Sequence, residues 1–339
     1  MSAPTTYAFR PRLRAEDHTP VLRQPMRDVR PFSIPERITC AAISIVIPVK
    51  NNQEGIDRFL TSMIADVDAK EHPKEIVVVD NGSDRMTSVR VECPFPVRVL
   101  SCTRRGPGAA RNVGVSASTG EWILFTDSDC IARPSLVSGY VGERSGAIGY
   151  AGRVDTQIVD QCSLYYQEQN TFLPVPLATD FGVVPATLVT ANCLVLKDAF
   201  LAVGGFNERF VYAGGEDTDL GFRLRMVGHL RYNLNSVAAH HAGGGLPAFV
   251  ERFIRYGRAH RMLEECYENL GMFASPPELL HNRTQANEFL AEVLHHAMTW
   301  GYMAEKAPQL LAVPPSAGAS DAPVVRTSAE NPQARPPGR

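Results

Sequence analysis

The chain has 339 residues, enough for one large domain with appendages rather than two equal ones. Its 44% hydrophobic and 21% charged content is that of an ordinary globular protein, which excludes a chain that is disordered or fibrous throughout. The formal net charge of −2 points to neither a nucleic-acid partner nor bulk membrane affinity.

Seven cysteines (Cys40, Cys93, Cys102, Cys130, Cys162, Cys193 and Cys266) are scattered and never spaced C-x-x-C. That pattern argues against a disulfide framework or a zinc site, so a reduced, cytoplasmic setting is expected. No apolar run approaches the roughly 18 residues of a membrane span, and the first residues lack the apolar core of a signal peptide.

Residues 1–37 carry seven arginines, four acids and six prolines without apolar periodicity. Residues 1–40 are therefore expected to form an irregular arm, able to wrap the domain or an oligomer partner. Strands follow at AAISIVIPV (41–49), EIVVVD (75–80) and PVRVLS (96–101), with helices at 55–67 and near 107–118. WILF (122–125), after Thr119 and Gly120, reads as a strand buried on both faces. Further strands are expected near 146–154, within LVTANCLVLK (188–197) and at 230–241. Helices are expected from Asp198, at 216–227 up to Gly228, and from about 246 to 270. The alternation is β-α-β, hence an α/β domain over 41–245 with a mostly parallel sheet. Residues 41–154 and 155–245 form its two halves, 246–305 a helical region, and 306–339 a Pro-, Ala- and Ser-rich disordered tail.

The pattern D-x-D occurs three times, at Asp66/Asp68, Asp127/Asp129 and Asp217/Asp219. The first lies where the apolar spacing of Ile56, Phe59, Leu60, Met63 and Ile64 runs out, so it reads as a solvated helix end. Asp127 and Asp129 follow a buried strand. In an open parallel sheet, acids at a strand's carboxyl end face whatever enters the crevice. The alternative is a turn in which either acid caps the helix near Pro134.

Polar groups at strand ends recur at PVKNN (48–52), VDNGSD (79–84), TDSD (126–129) and HHAGGG (240–245). A carboxylate such as Asp129 suits a hard divalent cation shared with phosphate oxygens, and His240 or His241 could add a nitrogen that favours Mn²⁺. The two histidines point to opposite faces of a strand, so one of them at most reaches a common site. A packed or surface histidine is the plain alternative for each. Glu216 and Asp217 open a helix after Gly214 and Gly215; they either complement its dipole or meet a ligand that the glycines admit, whereas Asp219 is structural. GPGAARNVG (106–114) has Arg111 where a dinucleotide fingerprint needs its third glycine, and an arginine there suits phosphate or sugar-hydroxyl contact instead. Arg252, Arg255, Arg258 and Arg261 form a basic stripe, either a solvated face or a contact for the donor diphosphate or an anionic, lipid-phosphate acceptor at a membrane surface.

In this order, ISIVIPVKNN, IVVVDNGSD, GPGAARNVGV, WILFTDSDC, TANCLVLKDAFLAVGGFNERF and GGEDTDLGFRLR resemble a family 2 glycosyltransferase with the nucleotide-sugar-binding fold called GT-A. The resemblance covers about residues 43 to 260. It implies a mixed, mainly parallel sheet flanked by helices, with added C-terminal helices. It also implies a nucleotide pocket at Pro48, Val49, Asn51, Gly82 and Ser128, with Asp80 near the uracil or ribose. Asp127 would approach the ribose and sugar, Asp129 would bind Mn²⁺ or Mg²⁺ bridging the diphosphate, and His240 or His241 would touch the metal or diphosphate. Glu216 and Asp217 match the family's E-D pair, with Asp217 the general base. The family often has D-D-G-S where this chain has Asp80-Asn81-Gly82-Ser83, which bears on donor choice.

The function so implied is inverting transfer of a sugar from a UDP-sugar to an acceptor hydroxyl. A sugar-nucleotide nucleotidyltransferase is the other enzyme reading, although PVKNNQEG lacks its Gly-rich basic loop. A carbohydrate-binding protein that kept the fold without the chemistry is the third. The acceptor, whether polysaccharide, lipid-linked intermediate, peptide or natural product, has no motif in the sequence, nor does a homo-oligomer interface.

Overall fold

The structure is a computed structural model. It describes residues 13–14, 21–24, 26, 29, 31–65, 72–142, 146–179, 182–268, 270 and 275–306. The chain up to Lys306 forms one compact unit. The expected tail from 307, and Asp66 with Asp68, lie outside the described residues.

Among the described residues the strands are β1 (Leu13–Arg14), β2 (Val21–Leu22), β3 (Ile43–Val49), β4 (Glu75–Asp80), β5 (Val97–Ser101), β6 (Trp122–Phe125), β7 (Cys130–Ala132), β8 (Gly149–Thr156), β9 (Pro176–Thr179), β10 (Gly182–Pro185), β11 (Cys193–Leu196), β12 (Leu230–His240) and β13 (Tyr267–Glu268). The helices are α1 (Gln53–Ile64), α2 (Pro107–Ala117), α3 (Ser135–Ser138), α4 (Gln161–Glu168), α5 (Lys197–Ala202), α6 (Glu216–Arg225), α7 (Gly245–Cys266) and α8 (Gln285–Lys306).

Eight strands form one mixed α/β sheet in the order β5-β4-β3-β6-β11-β8-β12-β7. The run from β5 to β6 is parallel, β11 is antiparallel to both of its neighbours, β12 is parallel to β8, and β7 closes the edge antiparallel to β12. Every residue of β4, β6 and β11 is buried, which is why these strands read as unbroken apolar runs rather than alternating ones. The sheet runs through both expected halves without a break, because β11 is inserted between β6 and β8.

The N-terminal arm is not irregular throughout. β1 pairs with β9, and β2 pairs with β13, so the arm is pinned to its own chain at two places. The second pairing also explains why the long helix ends at Cys266 rather than near 270: Tyr267 and Glu268 must be extended to pair. Against α7 lies α8, and the two cross where Gly257 faces Met298 and Gly301 faces Ile254. A Cβ built on either glycine would come within about 2 Å of the opposing carbonyl oxygen.

Candidate active site

Ends of β3, β4, β5, β6 and β12 open on one pocket of about 850 Å³. The Asp127–Asp129 turn lies in its wall. Thr126 is fully buried and donates to the Ala191 carbonyl, and the Cys130 amide closes the turn by donating to the Asp127 carbonyl. Asn52, whose side chain caps α1 by accepting from the Gly55 amide, donates to the carbonyl and hydroxyl of Ser128. Neither acid caps α3, whose N-cap is Pro134 without a side-chain bond. The turn therefore leaves both carboxylates facing the pocket.

Register then chooses between the histidines. β12 pairs with β7 so that His240 lies opposite Cys130, and the His241 amide donates to the Asp129 carbonyl. His240 is buried with Nε2 3.5 Å from an Asp129 oxygen. His241 turns to the exposed side, where its Nδ1 meets Gln157 at 3.2 Å. One ligand atom from each of Asp127, Asp129 and His240 can be chosen so that all three lie within 4.8 Å of one another. Burial holds the His240 imidazole below its ordinary pKa despite the pull of Asp129, which favours the neutral ring a metal needs. Its Nδ1 is buried with no partner among the described residues. Two carboxylates and one neutral imidazole suit Mn²⁺ or Mg²⁺, with room left for phosphate oxygens.

Arg111 lines the same pocket but is not free for phosphate. Only 3% of its side chain is exposed, and its two terminal nitrogens donate to Asp127 at 2.6 Å and Glu216 at 2.9 Å. It thus ties the D-x-D turn to the start of α6. Burial opposes its charge, but Asp127 and Glu216 more than compensate and hold the guanidinium protonated. Close packing of α2 on the sheet is supplied by Gly114, where a Cβ would lie 2.4 Å from Val46.

Glu216 uses one oxygen on Arg111 and the other on the Gly214 amide, so both of its oxygens are engaged. Asp217 is different. It lines the pocket, and its carboxyl is pushed up to about 7 by burial and then by the Glu216 charge, against the pull of Arg111. Asp219 is structural as expected, paired with Arg223 and accepting from the Tyr267 hydroxyl at 2.8 Å. The glycines before the pair line the pocket and also let α7 pack close: a Cβ on Gly214 would lie 2.7 Å from the Tyr256 ring, and one on Gly215 2.7 Å from Ala259.

The model for the family described as "Glycosyl transferase family 2" matches residues 44–144. The match places that segment, residues 44–144, with glycosyltransferase family 2. It is 28% identical over 231 residues to the pre-mycofactocin glycosyltransferase of Mycobacterium tuberculosis, covering 63% of this chain and 46% of that one. It is 26% identical over 225 residues to the validoxylamine A glucosyltransferase of Streptomyces hygroscopicus, covering 55% and 48%. The chain thus spans about half the length of these relatives. The mannosyltransferase PcManGT from Pyrobaculum calidifontis, solved with GDP-Man and Mn²⁺, aligns over 84% of this chain and 77% of its own at 15% identity, TM-score 0.47.

Of the residues expected in the family's nucleotide pocket, Pro48, Val49 and Ser128 line the cavity, while Asn51, Asp80 and Gly82 do not. Asp80 is 3% exposed, and its oxygens accept from the Ser83 amide and from the Thr87 amide and hydroxyl. Those bonds hold its carboxyl below the usual range, although burial alone would raise it. Asp80 therefore shapes the loop after β4, which Asn51 braces through Ser83 and Asp84. Gly82 supplies the positive φ of that turn. Asn81 lines the pocket instead. Its amide donates to the Cys102 and Arg104 carbonyls, and its oxygen accepts from the Gly106 amide, a two-way clamp that aspartate could not make.

Sequence reasoning missed Lys50, Arg105, Thr190 and Tyr256, all in the lining. The basic stripe is not one solvated face. Arg252 and Arg255 reach the pocket, Arg258 lies over the Tyr212 ring, and Arg261 pairs with Glu264 and Glu265. Three-residue spacing winds round a helix, which is the signal that the four could not share one environment. Among the described residues no helix is long and apolar enough to cross a membrane.

Proposed function

We propose that this chain transfers a sugar from a nucleoside diphosphate sugar to an acceptor hydroxyl with inversion at the anomeric carbon, UDP-sugar being the donor class that the family resemblance implies. The observation that carries this reading is the gathering of Asp127, Asp129 and His240 in the wall of a pocket that Asp217 also lines. Mn²⁺ or Mg²⁺ held by Asp129 and His240, with Asp127 beside them, would neutralise charge on the diphosphate.

The remaining chemistry belongs to the side chains. Arg111 fixes Asp127 and Glu216 in their places. Asp217 accepts the acceptor's proton, and a carboxyl poised near 7 is a stronger base than an ordinary aspartate. Double displacement would need a carboxylate nucleophile beside the base; both oxygens of Glu216 are engaged, and Asp127 and Asp129 are taken by Arg111 and the metal in this reading, which supports a single displacement.

Thermal stability of wild type and Asp129→Asn, with and without Mn²⁺, tests the reading against UDP, GDP and dTDP. Ligand at 100 times its dissociation constant contributes about 2.7 kcal/mol, a melting shift of roughly 4 °C. Manganese-dependent stabilisation by one diphosphate, lost in the variant, is expected. Indifference to all three would overturn it.

A further inference from the structure

Lys50, Arg105 and Arg252 line the pocket with no role in the chemistry described so far, and of these Arg252 lies beside the candidate metal residues. Arg252, from α7, lines the cavity together with Asp129 and His240. Its guanidinium carbon lies 5.4 Å from the Tyr166 ring centroid and 5.3 Å from that of Phe172, whose ring lies 4.6 Å from the His240 ring. The neighbouring members of the stripe are engaged elsewhere: Arg255 with Glu251, Arg258 on Tyr212, Arg261 with Glu264 and Glu265. No carboxylate of the described residues forms a salt bridge with Arg252, although Asp129 is near enough for its charge to favour the protonated guanidinium. Its hydrogen bonds go to the neutral hydroxyls of Tyr256 and Tyr166, and aromatic faces hold a guanidinium by cation–π attraction; neither neutralises it, so its charge stays available.

We propose that Arg252 grips the diphosphate of the donor and stabilises it as a leaving group; this rests on the donor reading above. In the transfer, the acceptor oxygen bonds to the anomeric carbon and its proton passes to Asp217. The bond from the anomeric carbon to the β-phosphate oxygen breaks, its electron pair staying on that oxygen. The diphosphate thereby gains one negative charge. A fixed cation at that point is stronger toward the departing group than toward the bound donor, which is the differential that accelerates a reaction. Charge also calls for it: Asp127, Asp129, Glu216 and Asp217 share the cavity, and Arg111 is already committed to two of them.

The test compares Arg252→Met, which keeps the aliphatic stem, and Arg252→Lys with wild type. Dissociation constants are measured calorimetrically for UDP against UMP and for GDP against GMP, at saturating Mn²⁺ and again in chelator. Losing a charge-assisted bond to phosphate should weaken diphosphate binding about 10- to 100-fold in Arg252→Met, with monophosphate binding much less affected and Arg252→Lys in between. The loss should persist in chelator, because it does not act through the metal site. A merely structural role would weaken both nucleotides equally, and that result would overturn the proposal, as would unchanged diphosphate affinity. If wild type binds neither UDP nor GDP, the donor reading itself falls, whatever the variants do. Should Arg252→Met fail to fold, Arg252→Lys alone decides: a lowered preference for diphosphate over monophosphate supports the grip, and an unchanged preference refutes it.

Discussion

Replacing Arg111 by methionine removes the charge that joins the D-x-D turn to α6 while keeping most of the side chain's length. Two anions then lose their partner. Glu216, with a side chain 4% exposed, keeps only the Gly214 amide, whereas Asp127, 28% exposed, can recover water. Removing one partner of a buried pair typically costs about 3–5 kcal/mol, most of it here from Glu216. For a unit of this size that corresponds to a melting temperature lowered by roughly 5–8 °C. Scanning calorimetry of wild type, Arg111→Met, Glu216→Gln and the double variant gives the coupling directly. The double variant should be more stable than the sum of the single losses by about 1–3 kcal/mol, since no buried charge is then stranded. Strict additivity, or an Arg111→Met melt within about 1 °C of wild type, would refute the claim that this arginine holds the site together.

The other expectations concern base, acid stability and packing. Asp217→Asn should lower turnover by about 10²–10⁴-fold, with nucleoside diphosphate affinity unchanged in a binding assay. With Asp217 as the proposed base, acting as its anion with a carboxyl pushed up to about 7, kcat/KM should fall tenfold per pH unit below that value; Glu216→Gln, which removes a neighbouring negative charge, should move this limb to lower pH. A wild-type limb near pH 4 would exclude Asp217 as the base. In Glu75, burial alone would raise the carboxyl, but bonds from Thr119, Arg98 and Ser44 lower it to about 2. A depressed acid contributes stability above its unfolded value of 4.5 and loses it as pH falls toward 2, here about 3 kcal/mol. Denaturation curves of wild type and Glu75→Gln should therefore converge on acidification, and curves that stay parallel would count against it. Gly257→Ala, which would raise stability at an exposed helix position, should instead lower it by about 1–3 kcal/mol, because the new Cβ would lie 1.9 Å from the Met298 carbonyl oxygen. An increase in melting temperature would mean that α7 and α8 do not cross there.

Local pattern alone determined the strand runs 75–80 and 122–125, the strand expected at 41–49 to within two residues and the helix expected from 55 to within two, the helix N-termini near 107 and 216, and the placing of Asp127 and Asp129 at a strand end. Each depends on residues a few positions apart, where side-chain period and capping chemistry act directly. Tertiary structure decided the rest. Arg111 is 16 residues from Asp127 and 105 from Glu216, so its change from a phosphate ligand to a brace is invisible to any local window. The choice of His240 over His241 follows from the pairing of β12 with β7, a strand of three residues too short to be read as one. Asp80 left the pocket because the loop after it folds back to satisfy its oxygens, and Asn81 took its place through contacts with the distant 102–106 segment. Sequence periodicity reports which face of an element is apolar; which polar side chain meets which is set only when elements far apart in the chain pack together.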